Sequence, residues 1–119
     1  MLELPVGGAA ERISREMAKL PGVTSHEHRF GGEEFRLGRR ELGHVHGDYQ
    51  ADIPFPIDVR NRLVAEGRAE PHHILARSGW ITLRFREPAD VERAIGLFRL
   101  VYDLATQKAG AGEAQAQRA

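Results

Sequence analysis

All six histidines of this chain fall in close pairs: His26 with His28, His44 with His46, and His72 with His73. Imidazole can bind a metal, shuttle a proton or change charge near neutral pH. His44 and His46 stand two residues apart in a stretch that reads as a strand, so they share one face. Two such imidazoles can share a metal ion, and a third from the segment Glu70-Pro71-His72-His73 would complete a zinc or iron site of the catalytic type. Proline biases Glu70 away from helix, so that segment is extended or turned. Adjacent histidines then point to opposite sides, and at most one of the two is expected to face the site. The competing reading is that these are partly buried histidines hydrogen-bonded to Tyr49, Glu41 or backbone carbonyls, because no carboxylate sits at a clear ligand spacing. Glu41 and Glu70 could each orient an imidazole. Strand alternation turns Glu41 away from His44, while Asp48 and Asp52 read as turn and solvent-face residues.

The elements that must position these groups follow from periodicity. Ala10, Ile13, Met17 and Leu20 predict a helix over residues 9–20, ended by Pro21-Gly22. Strands are expected over 23–30, 34–37, 40–46 and 49–54. The glycine pairs Gly38-Arg39 and Gly47-Asp48 read as two-residue hairpin links. Asp58 is the expected N-cap of a helix over 59–66. Ile81, Leu83 and Phe85 alternate with polar residues in a further strand, and Pro88 opens the last helix. Such an order, α-β-β-β-β-α-β-α, predicts a two-layer α+β domain with about five mostly antiparallel strands and helices packed on one face. It occupies residues 1–107. Residues 108–119 offer nothing to bury and are expected to form a disordered tail.

Two-residue links would place Phe35 opposite Leu42, His46 opposite Tyr49, and His44 opposite Ala51. His44, His46 and Tyr49 would then lie beneath the helices, at the polar end of an apolar sheet face. A one-residue change in either turn reverses this outcome. The length of the Gly31-Gly32 turn leaves the facing of His26 and His28 open. Trp80, the single tryptophan, reads either as an anchor at a strand entry or as a stacking platform for a ligand.

Composition narrows the function classes. There is no cysteine, which excludes disulfides, thiolate metal sites and cysteine nucleophiles. The 17 basic and 17 acidic residues give a formal net charge of zero, which argues against a dedicated nucleic-acid binder. The chain has no signal-peptide pattern and no apolar run near the ~20 residues of a membrane span. A cytoplasmic protein without membrane or nucleic-acid partners is the expectation.

One resemblance adds to these readings. Glu41-Leu42-Gly43-His44-Val45-His46-Gly47, then Gly67-Arg68-Ala69-Glu70-Pro71-His72, then Ser78-Gly79-Trp80 and a final amphipathic helix form an ordered set. It resembles the short bacterial proteins carrying the so-called luciferase domain, a family of largely uncharacterised function. His28-Arg29-Phe30-Gly31-Gly32 also suits the short version. Arg68 departs from the tryptophan of many longer relatives. The resemblance implies a domain; light emission does not follow from it. It also selects His72 over His73 as the pocket residue.

The expected function is binding of a small molecule or a metal at a histidine-lined pocket formed by His44, His46, His72, Tyr49, Glu70 and His28. A divalent metal there would be held by His44, His46 and His72. Two other classes stay open. One is an enzyme using histidine as general acid or base. The other is an interaction or homo-oligomerisation module, pairing through an outer sheet face with Val45 among Glu34, Arg36, Glu41 and Gly43.

Overall fold

The computed structural model describes residues 5–29 and 31–118, with side chains as far as residue 107. The elements are α1 (Ala9–Met17), β1 (Val23–Glu27), β2 (Glu33–Leu37), β3 (Arg40–His46), β4 (Gln50–Pro54), α2 (Ile57–Ala65), β5 (Glu70–Pro71), β6 (Trp80–Arg84) and α3 (Pro88–Arg118). The strands form one antiparallel sheet in the order β1-β2-β3-β4-β6-β5. This is the expected α+β arrangement, with the two-residue β5 added at one edge. Among the described residues no helix is long and apolar enough to cross a membrane.

Apolar spacing sets the layers. Ile13 and Met17 of α1 and Val91, Ile95, Phe98 and Val101 of α3 are buried. They meet Phe35, Ile53 and Ile81 from the sheet in a single core. Phe35 and Phe98 pack edge to face at 5.5 Å. α2 begins at Ile57 after Pro56, with no side-chain cap, so Asp58 is not its N-cap. Asp58 instead adds negative charge to the first turn, where the helix dipole favours it. The backbone of α3 is helical to Arg118; the tail expected from residue 108 falls where side chains lie outside the described residues.

Two departures from the simple register decide which face the histidines take. The Gly38-Arg39 link pairs Leu37 with Arg40, as expected, and Arg36 with Glu41. The register then shifts, so that Phe35 faces Gly43 and Glu34 faces His44. Leu42 is the extra residue of a β-bulge. Across the next turn His46 pairs with Gln50, Val45 with Ala51 and His44 with Asp52. That turn therefore holds three residues, Gly47, Asp48 and Tyr49. Asp48 is drawn out of the ladder to cap α1, accepting the backbone N–H groups of Gly8 (3.1 Å) and Ala10 (2.8 Å).

The consequence is a reversal. Val45, Ala51, Ile53, Ile81 and Leu83 are buried in the core, while His44, His46, Asp52 and Thr82 alternate to the opposite face. The histidines do not lie beneath the helices. Val45 is buried, so the outer face expected to mediate oligomerisation through Val45 does not exist in that form. Tyr49, expected beside His46, stands 61% exposed on the turn.

The bulge depends on Gly43. Its φ of 134° is a conformation that side chains disfavour, and a Cβ there would lie 2.7 Å from the Asp52 carbonyl and 2.8 Å from the Phe98 ring. Gly43→Ala should therefore destabilise the protein by about 1–3 kcal/mol in urea unfolding. A change within experimental error would contradict the bulge as described.

Candidate functional site

The face of the sheet away from the helices carries a sunken polar cluster centred on Asp52. This side chain is 0% exposed. Oδ1 accepts the Thr82 hydroxyl at 2.7 Å. Oδ2 faces three imidazole nitrogens: His46 Nε2 at 3.0 Å, His44 Nε2 at 3.3 Å and His72 Nε2 at 3.8 Å. A carboxylate removed from water must find donors or positive charge. Here neighbouring side chains supply them.

Each imidazole arrives for a local reason. His44 and His46 alternate onto this face from β3, directly beside β4. The bulge at Leu42 changes the parity of β3, so Glu41 shares their face, contrary to simple alternation. Its Oε2 lies 2.7 Å from His44 Nδ1. His28 comes from the β1–β2 turn. Gly32 passes so close to β3 that a Cβ would stand 2.0 Å from the Val45 carbonyl oxygen, and this approach brings the His28 ring over His44, stacked at 4.0 Å. His72 follows β5 directly and is buried. Its Nδ1 accepts the backbone N–H groups of Ile74 (3.1 Å) and Leu75 (3.0 Å). That pattern assigns the proton of a neutral ring to Nε2, facing Asp52.

The protonation states follow. Burial is the largest influence on His44 and lowers its pKa. Hydrogen bonds and charge from Asp52 and Glu41 outweigh burial and raise it to about 9. At neutral pH His44 is an imidazolium between two carboxylates. Burial alone would raise the Asp52 pKa; hydrogen bonds from His44 and Thr82, with the imidazole charges, hold it well below the carboxylate range. His28 is pushed down by burial and then by the charge on His44. His72 is pushed down by burial, against the pull of Asp52.

Above this cluster is a cavity of about 640 Å³. Its lining includes His28, His44, His46, Asp52, His72 and Trp80, with Arg29, His73, Ile74 and Leu75 toward solvent. Four of the residues expected at the site, His44, His46, His72 and His28, come together here. Tyr49 and Glu70 do not. Tyr49 is carried away by the three-residue turn. Glu70 is exposed and lies 3.5 Å from Arg84 and 3.7 Å from Arg86, outside the cavity lining. Of the adjacent pair, His72 is buried and His73 exposed, the two rings stacked at 4.5 Å. Trp80 lies 5.4 Å from the His44 ring.

Sequence reasoning missed Asp52, the hub of the cluster. A signal existed: aspartate is depleted in strands, and this one sits between Ala51 and Ile53 in a run that otherwise reads as buried. Among the described residues three groups could supply metal donors, with donor atoms within 4.8 Å of one another: His28, Glu41 and His44; His44, His46 and Asp52; and Asp52, His72 and His73.

Fold and site together define a two-layer α+β domain whose helix-free face holds a buried histidine–carboxylate cluster under a loop. The luciferase-domain family matches residues 39–101, and the chain belongs to that family. The matched span includes Glu41, His44, His46, Asp52, His72 and Trp80, and begins after His28 and Arg29. No curated protein and no solved structure matches the chain at a significant level.

A pH prediction follows from His44. Its folded pKa lies above the unfolded value of 6.5, so its contribution to stability is full below about 6.5 and is lost as pH rises through about 9. Histidine NMR titration of the metal-free protein should show one imidazolium persisting to pH 8, with denaturant stability falling between pH 7 and 10. A His44 ring titrating near 6.5 would refute this charge assignment.

Proposed function

We propose that this luciferase-domain protein holds a divalent metal ion on His44 Nε2, His46 Nε2 and Asp52 Oδ2, at the floor of a small-molecule pocket. The observation that carries the reading is the convergence of two imidazole nitrogens on one carboxylate oxygen, at 3.3 and 3.0 Å. Donors around a tetrahedral ion at about 2.0–2.2 Å lie about 3.3–3.6 Å from one another; the two histidine–aspartate pairs are already near that spacing, and all three donor atoms lie within 4.8 Å of one another. Two imidazoles, one carboxylate and no thiolate suit Zn²⁺, Fe²⁺, Co²⁺ or Ni²⁺. Three protein donors leave coordination positions open toward the cavity, as catalytic sites do.

The surroundings support the same assignment. Glu41 on His44 Nδ1 is the carboxylate–histidine arrangement that fixes a metal-binding ring and its tautomer. Thr82 holds the other oxygen of Asp52, and Gln50 Nε2 makes only long contacts with both oxygens, 3.3 Å to Oδ1 and 3.4 Å to Oδ2. The ion would replace the proton at His44 Nε2. His72 fits poorly as a ligand, although sequence reasoning included it: its Nδ1 is occupied by two backbone donors, so its Nε2 bears the proton.

Acid–base catalysis by His44 is the competing reading, favoured by the raised pKa. It is the weaker one, because both ring nitrogens already face carboxylates and the side chain is buried.

Calorimetric titration of metal-free protein with Zn²⁺ or Ni²⁺ should give one tight site. His46→Ala and Asp52→Asn should each weaken it at least tenfold, Glu41→Gln by about 10–100-fold, and His72→Ala by less than tenfold. Absence of binding, or affinity indifferent to His46→Ala and Asp52→Asn, would eliminate the metal centre.

A further inference from the structure

His72 lines the cavity but is not one of the three proposed donors. It is 8% exposed, and its surroundings fix its ring. Pro71 before it pairs with Ile81 of β6, and its own backbone N–H donates to the Trp80 carbonyl at 3.4 Å. Its Nδ1 accepts the N–H groups of Ile74 and Leu75. Ser78 Oγ closes the same loop by donating to the Leu75 carbonyl at 2.7 Å. With Nδ1 used as an acceptor, the ring proton sits on Nε2. The carboxylate oxygen it faces, Oδ2 of Asp52, is 3.8 Å away, beyond hydrogen-bond distance. Among the described residues this N–H therefore has no acceptor. A buried donor left without one is costly.

An ion on His44, His46 and Asp52 would bring the acceptor. A ligand oxygen about 2.0–2.2 Å from a tetrahedral ion lies about 3.3–3.6 Å from the other donor atoms, Oδ2 included. A good acceptor oxygen lies about 2.9 Å from an N–H nitrogen. With Nε2 of His72 3.8 Å from Oδ2, one atom can meet both distances. That atom needs two lone pairs, one for the ion and one for the N–H. A carbonyl or carboxylate oxygen has two, whereas a pyridine nitrogen has only one. A Lewis acid and a fixed N–H donor would then draw on the electrons of the same oxygen.

We infer that His72 is a fixed hydrogen-bond donor to the atom that a ligand places on the ion, and that the cavity selects small molecules that coordinate through an sp² oxygen. His72 acts on the ligand and leaves the ion to the other three residues. This inference rests on the metal reading above.

The test uses the full chain loaded with Co²⁺ and titrated with acetate or pyridine, followed by the visible absorption of the ion. His72→Asn removes the Nε2 donor but keeps an acceptor for the loop, since an asparagine oxygen can take the backbone N–H two residues on. His72→Gln restores a side-chain N–H donor. Acetate should shift the Co²⁺ bands. His72→Asn should weaken acetate at least fivefold, with Co²⁺ affinity changed by less than tenfold. His72→Gln should bind acetate at least twofold more tightly than His72→Asn. Pyridine should bind the unsubstituted chain no more tightly than His72→Asn. A measurement without substitution completes the test: on the Zn²⁺-loaded chain, acetate should move the proton resonance of His72 Nε2–H downfield. Acetate that leaves the Co²⁺ bands or this proton unmoved, acetate affinity indifferent to His72→Asn, an equal loss of pyridine, or no recovery in His72→Gln would each overturn the inference alone. A tenfold or greater loss of Co²⁺ in His72→Asn would make His72 a ligand and also overturn it. Failure of the unsubstituted chain to bind Co²⁺ would overturn the metal reading and this inference with it.

Discussion

A carboxylate with no contact with water dominates this structure. Asp52 sits in the central part of the sheet, and an isolated charge there would be prohibitively costly. Protonation is the usual escape for such a group. Here it is blocked by the donors around it: the Thr82 hydroxyl on one oxygen and the imidazoles of His44 and His46 on the other. Asp52 stays charged because His44 stays charged, and His44 stays charged because Asp52 and Glu41 face its two ring nitrogens. Each member is tolerable only in the company of the others. Buried polar networks of this kind are stable when complete and costly when partial.

The fold gives its sheet two chemistries. One face is apolar and sealed by α1 and α3. The other carries the network, sheltered by the β1–β2 turn and by the loop after β5. The separation depends on two irregularities of β3, an added residue at Leu42 and a three-residue turn at Gly47–Tyr49. Without the first, Glu41 and His44 would lie on opposite faces. With a two-residue turn, Asp52 would not sit opposite His44. The first is supported locally by the backbone freedom of Gly43, the second at long range by the capping of α1 by Asp48. β-bulges recur next to functional sites because they re-aim side chains in this way.

Much of the fold is legible in the sequence. Hydrophobic periods place the helices and strands, and the Gly38-Arg39 link has the expected length. The histidine pairs draw attention to the middle of the chain, and His44, His46, His72 and His28 do meet at one cavity. The face they occupy was not legible, because strand parity turns on single residues. Gly47-Asp48 reads as a complete hairpin link until the capping role of Asp48 is known, and that is a long-range contact. The bulge is equally hidden, since Gly43 in a strand signals irregularity without specifying its sense. From these two slips follow the misplacement of Tyr49 and Val45 and the omission of Asp52. Glu70 is a different case: nearness in sequence to His72 suggested a partner, but Arg84 and Arg86 on the neighbouring strand and beyond it claim its charge.

Membership of the luciferase-domain family identifies the scaffold, while function must be argued from the site. On this account the network around Asp52 is the metal-free form of a centre in which an ion takes the place of the proton held between His44 and Asp52. Anomalous diffraction from crystals grown with Co²⁺ tests this most directly. A single peak should appear about 2.0–2.2 Å from Nε2 of His44, Nε2 of His46 and Oδ2 of Asp52. A peak at His72 and His73 instead, or none within the cavity, would contradict it.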